Sequence, residues 1–386
     1  MIFQGISKKP TRYAIGLTCG TSARGVDAAL VRIKGSGGGL HIKLMKSRHF
    51  PYSSGLRTRL IVARKDVREV CLLNFELGEF LADAAQEMSR LAQTELCEVD
   101  FVASTGFTVA HNPPRGYDQA IGSMQVGEPA IIAQRTQLPV VSNFQARDMA
   151  AGGQGGPIFA YSDHVLFARE DRLAARLHLG GISTITVIPP KFEEMVSFDA
   201  GPGTLVIDGA ARMLTSGNQE MDEDGAAATK GVVVDEFLEF LLDHPYFAKV
   251  PPKTTGRDEF GPEIYLRDAL AGRKNHSYED LMATVTSAVS YCIVRAYNRF
   301  VKPQFKVSRL ILSGGGVNNK ALVQRVRNGI SDVTIRTSDE YGLPHASLDP
   351  IGAAILGNET FCGRASNAPH ATGAQAAVVM GKITPA

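Results

Sequence analysis

Four glycine turns, each following a predicted strand, constrain this chain more than any other feature. They are centred on Gly20–Gly25, Gly180–Gly181, Gly201–Gly203 and Gly314–Gly316. Glycine accepts positive φ and lets a ligand approach the backbone closely, so successive N–H groups can point at one anion. Each turn taken singly is typical of a tight hairpin. Four of them after buried strands favour a site that grips a polyphosphate and a nucleoside.

The hydrophobic pattern around these turns predicts an α/β chain. Residues 13–18 and 26–33 are predicted strands on either side of the first turn, and residues 174–179 and 182–188 repeat this arrangement around the second. Between them, residues 72–93 place apolar side chains at spacings of three and four, which predicts an amphipathic helix. Residues 105–127 are predicted to be rich in loops, and the Gly-rich segment 150–157 predicts a hinge or a ligand loop. The repeated strand–glycine turn–strand pattern indicates two halves of one architecture.

Length, composition and charge favour an ordinary globular protein with a small-molecule ligand. The 386 residues suggest two domains, and the net charge of +2 gives no reason to expect nucleic acid or an anionic membrane as partner. No apolar run approaches the length of a membrane span. The five cysteines are scattered without metal-binding spacing in what we expect to be a reducing cytoplasm, and all but Cys19, which lies inside a motif, are expected to be small buried side chains. The polar segment 1–11 is expected to be a flexible lead-in.

The common nucleotide-binding motifs fit poorly. The chain has no GxxxxGK[ST] motif, and no GxGxxG opens a helix after the first strand. What the turns resemble is the sugar kinase–Hsp70–actin superfamily, in which a β-hairpin in each of two domains holds ATP phosphates and a Gly-Gly-Gly turn faces the adenosine. This resemblance implies a two-lobed, ribonuclease H-like α/β fold with an ATP cleft between the lobes.

One family within that superfamily matches the chain in detail. Residues 16–27, GLTCGTSARGVD, resemble the GLMSGTSLDGVD signature of anhydro-N-acetylmuramic acid kinases. Further matching segments follow in the same order along nearly the whole chain: 125–130, 147–155, 179–182, 198–203, 222–225, 251–257, 313–316 and 339–342.

The resemblance implies a reaction and its requirements. Members of this family take a 1,6-anhydro sugar, ATP and water to a sugar 6-phosphate and ADP in cell-wall recycling. Mg²⁺ is expected as in other phosphoryl transfers. By position, the base that activates the water is Asp199, for which the alternative is an N-cap of the following helix. A cytoplasmic enzyme is implied, and dimers are common in the family, although the sequence indicates no interface.

The resemblance also assigns binding residues, and two alternatives stay open. Asp27 is expected to orient Mg²⁺ through water or to hydrogen-bond its own turn; the sequence gives no metal ligands. Lys253 and Arg257 lie either near the site or in a solvated basic turn. The residues assigned to the nucleotide are Gly20, Thr21, Ser22, Ala23, Arg24, Gly25, Val26, Asp27, Gly180, Gly181, Gly201, Gly203, Gly314, Gly315 and Gly316. Those assigned to the sugar are Thr108, Asn143, Gln145 and Asp349.

The same resemblance divides the chain into lobes. Residues 1–160 with 350–386 are expected to form an N-terminal lobe that carries the first phosphate hairpin and the sugar side. Residues 161–349 are expected to form a C-terminal lobe with the second phosphate turn and the adenosine side.

The chain departs from the family at several motif positions. Asn143 and Gln145 replace an acid and an arginine expected to face the sugar, and Arg24 replaces an acid in the phosphate hairpin. Thr105, Phe107 and Thr204 are further replacements. Sites built from hydrogen bonds reject ligands that cannot make them. The alternatives are therefore another anhydrosugar, such as levoglucosan, or a weakly active sugar- or nucleotide-binding homologue. The retained Asp199 and glycine turns argue for ATP chemistry.

Overall fold

The computed structural model describes residues 2–114, 120–169, 172–273 and 275–386. The predicted loop-rich stretch at 105–127 falls partly outside these residues, at 115–119. Its described part forms a β-hairpin instead, in which residues 107–112 pair with residues 122–126. The expected flexible lead-in is also wrong, because the chain begins with a helix over Ile2–Lys8. Buried Arg12 explains this helix in part, since its guanidinium donates to the carbonyls of Ser7 and Lys9.

Thirteen strands are present among the described residues. In chain order they are β1 Thr11–Cys19, β2 Gly25–Lys34, β3 His41–Pro51, β4 Phe101–Ser104, β5 Phe107–Asn112, β6 Gly122–Val126, β7 Val140–Ser142, β8 Ala174–Leu179, β9 Ile182–Ile188, β10 Val196–Pro202, β11 Arg309–Ser313, β12 Thr334–Thr337 and β13 Lys382–Thr384.

Sixteen α-helices are present in the same part of the chain. They are α1 Ile2–Lys8, α2 Ser54–Val62, α3 Val67–Leu91, α4 Pro129–Thr136, α5 Gln145–Ala150, α6 Ala160–Phe167, α7 Thr204–Leu214, α8 Ala226–Lys230, α9 Asp235–Leu242, α10 Arg257–Phe260, α11 Pro262–Tyr265, α12 Arg267–Ala271, α13 Tyr278–Ala296, α14 Lys320–Gly329, α15 Leu348–Phe361 and α16 Pro369–Thr372. A π-helical turn, Tyr297–Val301, extends α13.

The chain forms two compact units. Unit 1 comprises Met1–Phe167, Lys191–Met195 and Ala346–Ala386, and unit 2 comprises Ala168–Pro190 and Val196–His345.

Unit 1 is built on a six-stranded sheet in the order β13-β7-β4-β1-β2-β3. β1, β2 and β3 are antiparallel neighbours, and β4 and β7 run parallel to β1. The amphipathic helix α3 buries Leu73, Leu77 and Leu81 in the same core as the inward side chains of β1 and β2. At Gly16 an added Cβ would lie 1.8 Å from the Pro350 carbonyl oxygen, so α15 packs on β1 without room for a side chain there.

Unit 2 is built on a five-stranded sheet in the order β10-β9-β8-β11-β12. Read from its other edge, the sheet of unit 1 has the matching order β3-β2-β1-β4-β7, followed by the additional strand β13. β8, β9 and β10 are antiparallel neighbours, and β11 and β12 run parallel to β8. The core lies between this sheet and the helices α7 and α13. Leu281, Val285 and Val289 of α13 are buried in it. The shared strand order confirms the predicted superfamily fold and the two related halves.

The cysteine prediction is only partly right. Cys292 is buried, but Cys71 and Cys97 are exposed, and none of the five forms a disulfide. Cys71 lies on the outer face of α3, where helical spacing turns it away from the core that Leu73 and Leu77 enter. Among the described residues, no helix combines the length and the apolar character needed to cross a membrane.

Candidate active site

The second and third glycine turns interlock at one edge of the sheet in unit 2. Gly203 N–H donates to the Gly181 carbonyl (2.9 Å) and Thr204 N–H to the Gly180 carbonyl (2.8 Å). A Cβ on Gly203 would lie 2.3 Å from the Gly180 oxygen, so only glycine fits. Because these amides are already donated within the protein, Gly203 could contact a nucleotide only by other atoms.

The Gly-Gly-Gly turn joins the same edge. It follows β11, which runs parallel to β8, so the two strands end side by side. Gly314 has φ +85°, and a Cβ on Gly314 or Gly316 would lie 2.7 or 2.8 Å from the Leu179 carbonyl oxygen. The structure therefore brings together Gly180, Gly181, Gly201, Gly203 and the 314–316 turn, at the carboxyl ends of strands where α/β sheets bind ligands.

Asp199 lies at this edge, near the end of β10, and its side chain accepts three hydrogen bonds. Thr184 Oγ1 donates to Oδ1 at 2.7 Å. Thr254 Oγ1 donates to Oδ2 at 2.7 Å, and Thr255 N–H donates to the same oxygen at 2.9 Å. The partners come from β9 and from the segment before α10, so two separate parts of the chain fix the carboxylate. Its N-cap alternative is excluded, because the N-cap of α7 is Gly203.

The surroundings of Asp199 act on its pKa in opposite directions. Burial raises the pKa of the carboxyl above its ordinary value, whereas the Thr255, Thr254 and Thr184 hydrogen bonds and the Lys253 charge lower it. An acid whose pKa is moved upward by burial while it stays hydrogen-bonded is suited to take a proton near neutral pH.

Lys253 is buried close to this carboxylate rather than solvated. The residue is 4% exposed, and its Nζ lies 4.5 Å from the ring centre of Tyr246. Burial lowers the pKa of Lys253 to about 8. The Lys253 carbonyl also accepts from Asp199 N–H, and Tyr246 Oη donates to the Asp199 carbonyl at 2.8 Å. Arg257 is likewise buried, so the alternative of a solvated basic turn is wrong for both residues.

Thr184, Thr254 and Thr255 were not among the residues predicted from the sequence. The signal was present, because two of these threonines lie in the 251–257 segment and the third lies four residues after Gly180. Threonine hydroxyls carry no distinctive spacing, however, and their distance from Asp199 along the chain hides the contact.

The first glycine turn lies in unit 1 and forms a tight connection between β1 and β2. Ala23 N–H donates to the Gly20 carbonyl at 2.9 Å, and Ala23 adopts φ 53°. A Cβ on Gly25 would lie 2.2 Å from the Phe50 oxygen, so β3 requires glycine there. Ser22 is buried, whereas Thr21 and Arg24 are half-buried, which leaves their side chains within reach of a ligand at the turn.

Asp27, at the base of this hairpin, pairs with the neighbouring strand. Its Oδ1 lies 2.7 Å from Nδ1 of His49, the residue opposite it in the β2–β3 register. The contact differs from the alternative in which Asp27 would bond its own turn. Its side chain is 35% exposed. One partly exposed carboxylate fits Mg²⁺ that is held mainly by phosphates and water. Within the described residues, no three His, Cys, Asp or Glu side chains gather as a metal site.

The predicted sugar residues lie on several elements of unit 1. Thr108 is on β5, Asn143 follows β7, Gln145 opens α5 and Asp349 is in the first turn of α15. Asn143 adopts φ 54°, which suits asparagine better than most side chains. Asn143 Oδ1 and Gln145 Oε1 are buried oxygens without a hydrogen-bond partner. Buried polar atoms are rarely left unpaired, so both indicate a ligand.

Between Asn143 and the glycine-rich loop, Asp148 has a structural role. It is 1% exposed and accepts hydrogen bonds from Gly155 N–H, Thr372 Oγ1 and Asn367 Nδ2. Gly153 lies so close that a Cβ would be 2.2 Å from Oδ2 of Asp148. The loop at 150–157, predicted as a hinge or ligand loop, is thus tied to the body of unit 1.

The chain is similar to a family of known proteins along almost its whole length. The model of a family described as anhydro-N-acetylmuramic acid kinase matches residues 12–386. A protein of that name from Caldanaerobacter subterraneus subsp. tengcongensis is 38% identical over 98% of this chain and 98% of its own. Another from Bacillus cereus is 38% identical over 96% of this chain and 99% of its own.

One solved structure is distantly similar in fold. The activator of 2-hydroxyisocaproyl-CoA dehydratase from Clostridium difficile with bound ADPNP aligns with TM-score 0.45 and 11% identity, over 90% of this chain and 95% of that one. The family match over nearly the whole length, together with relatives above a third identical, shows that the chain belongs to the anhydro-N-acetylmuramic acid kinase family.

Proposed function

We propose that the protein is an ATP-dependent kinase that opens the 1,6-anhydro ring of anhydro-N-acetylmuramic acid with water and phosphorylates O6. The products are N-acetylmuramic acid 6-phosphate and ADP. Family membership supports a phosphotransferase that acts on a sugar. The single structural observation that carries the proposal is the buried Asp199 carboxylate, held by three hydrogen bonds at the edge where the glycine turns of unit 2 meet.

Different residues of this chain serve as the base, bind the phosphates and face the adenosine. Asp199 takes a proton from the water that attacks the anomeric carbon, and the released O6 becomes the nucleophile for the γ-phosphate. The first hairpin, with Thr21 and Ser22, and the Gly180–Gly181 turn would bind phosphates, while the 314–316 turn would face the adenosine. Such a transfer is mostly positioning and charge neutralisation. Asp27 would hold Mg²⁺ through water, and the positive charge that the ion supplies would neutralise the phosphates.

In unit 1 the unpaired oxygens of Asn143 and Gln145 support a sugar-binding role for this segment. Both are acceptors, so they suit ligand hydroxyl and amide N–H groups. Thr108 and Asp349 remain proposed sugar contacts on their positions in the family motifs. A cytoplasmic location and a homodimer are proposed on the same basis.

The decisive test is an Asp199→Asn variant assayed with MgATP and anhydro-N-acetylmuramic acid by coupled detection of ADP. We expect kcat to fall about a hundredfold to ten-thousandfold, the usual contribution of a general base. Asp268→Asn, the same change at an exposed position on α12, is the matched control and should leave kcat unchanged. Undiminished turnover by Asp199→Asn would contradict the assignment of the base.

Two further assays separate the alternatives. Levoglucosan is offered in place of anhydro-N-acetylmuramic acid, and turnover of levoglucosan alone would overturn the proposed substrate. Binding of ATP without turnover of either sugar would instead indicate a binding protein. Removal of Mg²⁺ with a chelator should abolish activity, and added Mg²⁺ should restore it.

A further inference from the structure

The two carboxylate oxygens of Asp199 have different partners. Oδ2 accepts from Thr254 Oγ1 and from Thr255 N–H, whereas Oδ1 accepts from Thr184 Oγ1. An ionised carboxylate has about two acceptor positions on each oxygen. The protein therefore fills both positions of Oδ2 and one position of Oδ1.

The exposure of the donors does not separate the two oxygens. Thr254 is 7% exposed, whereas Thr255, which also donates to Oδ2, is half-buried like Thr184. Asp199 itself retains 6% of its exposure, so the carboxylate is not sealed from solvent. The remaining acceptor position on Oδ1 is therefore the feature that distinguishes the two oxygens.

We propose that Oδ1 of Asp199 is the atom that removes the proton from the attacking water, and that Thr184 is the positioning residue that aims it. Thr254 and Thr255 N–H hold Oδ2 and thereby fix the plane of the carboxylate. This inference rests on the proposed function, because it assigns the atom within the proposed base.

The step balances with groups that the reaction already supplies. One O–H bond of water breaks as its proton passes to Oδ1, and the water oxygen bonds to the anomeric carbon. The bond from that carbon to O6 breaks, leaving its electron pair on O6. O6 then bonds to the γ-phosphorus as the bond from phosphorus to the bridging oxygen of ADP breaks. Thr184 keeps its own proton throughout, since it only donates a hydrogen bond.

Other ionisable groups also act on this carboxylate. The positive charge of Lys253 stabilises the ionised carboxylate of Asp199. Tyr246 Oη donates a hydrogen bond to the backbone carbonyl of Asp199. Both are unaffected by a change at Thr184. A donor to the ionised form lowers the pKa of an acid. Loss of the Thr184 hydroxyl must therefore raise the pKa of Asp199 and move the acidic limb of the pH–rate profile to higher pH.

The experiment uses three variants of the full chain, assayed for kcat and KM against pH with MgATP and anhydro-N-acetylmuramic acid. Thr184→Val removes the hydroxyl at nearly constant volume, and Thr184→Ser keeps it. Thr186→Val is the matched control, because Thr186 lies two residues further along β9 and its hydroxyl pairs with Ser197 at 2.8 Å. Thermal unfolding of each variant reports whether it folds.

We expect Thr184→Val to lower kcat about tenfold to a hundredfold, the value of one hydrogen bond to a charged group. Its acidic limb should move up by about one pH unit. Thr184→Ser should restore both, and Thr186→Val should move neither. If the acidic limb of the pH–rate profile does not move in Thr184→Val, the role of Thr184 is overturned, even if kcat falls. If Asp199→Asn stays active, the proposed base itself fails, and the two failures are therefore distinguishable.

A crystal structure with ADP and the anhydrosugar tests the choice of oxygen directly. We expect a water within hydrogen-bond distance of Oδ1 and facing the anomeric carbon. A water so placed on Oδ2 would overturn the assignment of the atom while leaving Asp199 as the base.

Discussion

The surroundings of Asp199 in unit 2 differ from those of Asn143 and Gln145 in unit 1 in the hydrogen bonds that the protein itself provides. Asp199 is held by three hydrogen bonds from the protein itself. Asn143 and Gln145 each keep a buried oxygen without a partner. A general base gains from being fixed before the substrate arrives, whereas a substrate contact must keep an atom free for the ligand.

This difference also separates what is retained from what has changed. Asp199 and the glycines of the turns around it follow the family pattern, although Thr204 beside them does not, while Asn143 and Gln145 both depart from it. Catalytic groups fixed by a network tolerate little change, because each partner depends on the others. Residues that meet only the ligand can be replaced at the cost of a different ligand preference.

The largest effect is expected at Lys253, which is buried beside Asp199. The pKa of Lys253 falls from 10.5 to about 8 in the folded protein, so between these pH values the unfolded chain binds more protons than the folded one. The stability of the wild type should therefore rise with pH relative to Lys253→Met, by about 3 kcal/mol between pH 7 and pH 11. Urea unfolding of both proteins across this range measures it. If the difference in the free energy of unfolding between the two proteins does not change with pH, burial does not lower the pKa of Lys253.

The next effect contrasts the two regions directly. Thr254→Val should lower the free energy of unfolding by about 2 kcal/mol, because it leaves a buried carboxylate with one donor fewer. Gln145→Leu should change stability by less than about 0.5 kcal/mol, because the oxygen it removes has no partner to lose. Denaturant unfolding compares the two variants. An equal loss of stability would mean that the two regions are built alike.

A smaller effect concerns the sugar. Gln145→Arg restores the family residue, and a guanidinium can hold the carboxylate of anhydro-N-acetylmuramic acid with two parallel hydrogen bonds. We expect KM for this sugar to fall about tenfold, the value of one charge-assisted bond. KM for levoglucosan, which has no carboxylate, should stay constant. Gln145→Met serves as the uncharged control. If KM for the acidic sugar does not change, residue 145 does not face its carboxylate.

The smallest effect is expected at Arg24 in the first hairpin. Its charge lies in the turn proposed to bind phosphates, where a solvated charge pair is worth at most about 1 kcal/mol. Arg24→Ala should raise KM for ATP about fivefold at low salt, and the difference should shrink as salt is added. Steady-state kinetics at two salt concentrations test this. An effect that does not depend on salt would point to packing instead of charge.

Much of the protein follows from local sequence. Each glycine turn contains the residues that its backbone requires: at Gly25 and Gly203 there is no room for a Cβ. The alternation of strands and amphipathic helices predicted the α/β fold, because burial on one face imposes these periods. The family motifs pointed to Asp199 for the same reason, since a motif is a local pattern that survives without knowledge of its contacts.

Interactions between distant residues escaped prediction. The N-terminal helix depends on the buried guanidinium of Arg12. The exposed Cys71 and Cys97 were expected to be buried, because cysteine type alone does not say which face of an element it occupies. The pairing of Asp27 with His49 depends on the register of β2 and β3, which the sequence did not specify.

By itself the sequence determined the family and the alternation of elements, and it pointed to Asp199 as the proposed base, because each of these depends on neighbouring residues. Only the tertiary structure decided how that acid is held. Thr184 lies 15 residues before Asp199, and Thr254 and Thr255 lie 55 and 56 residues after it. Folding places all three hydroxyl or amide donors within 3 Å of one carboxylate. Such geometry depends on how β9, β10 and the segment before α10 pack, and no local pattern encodes it.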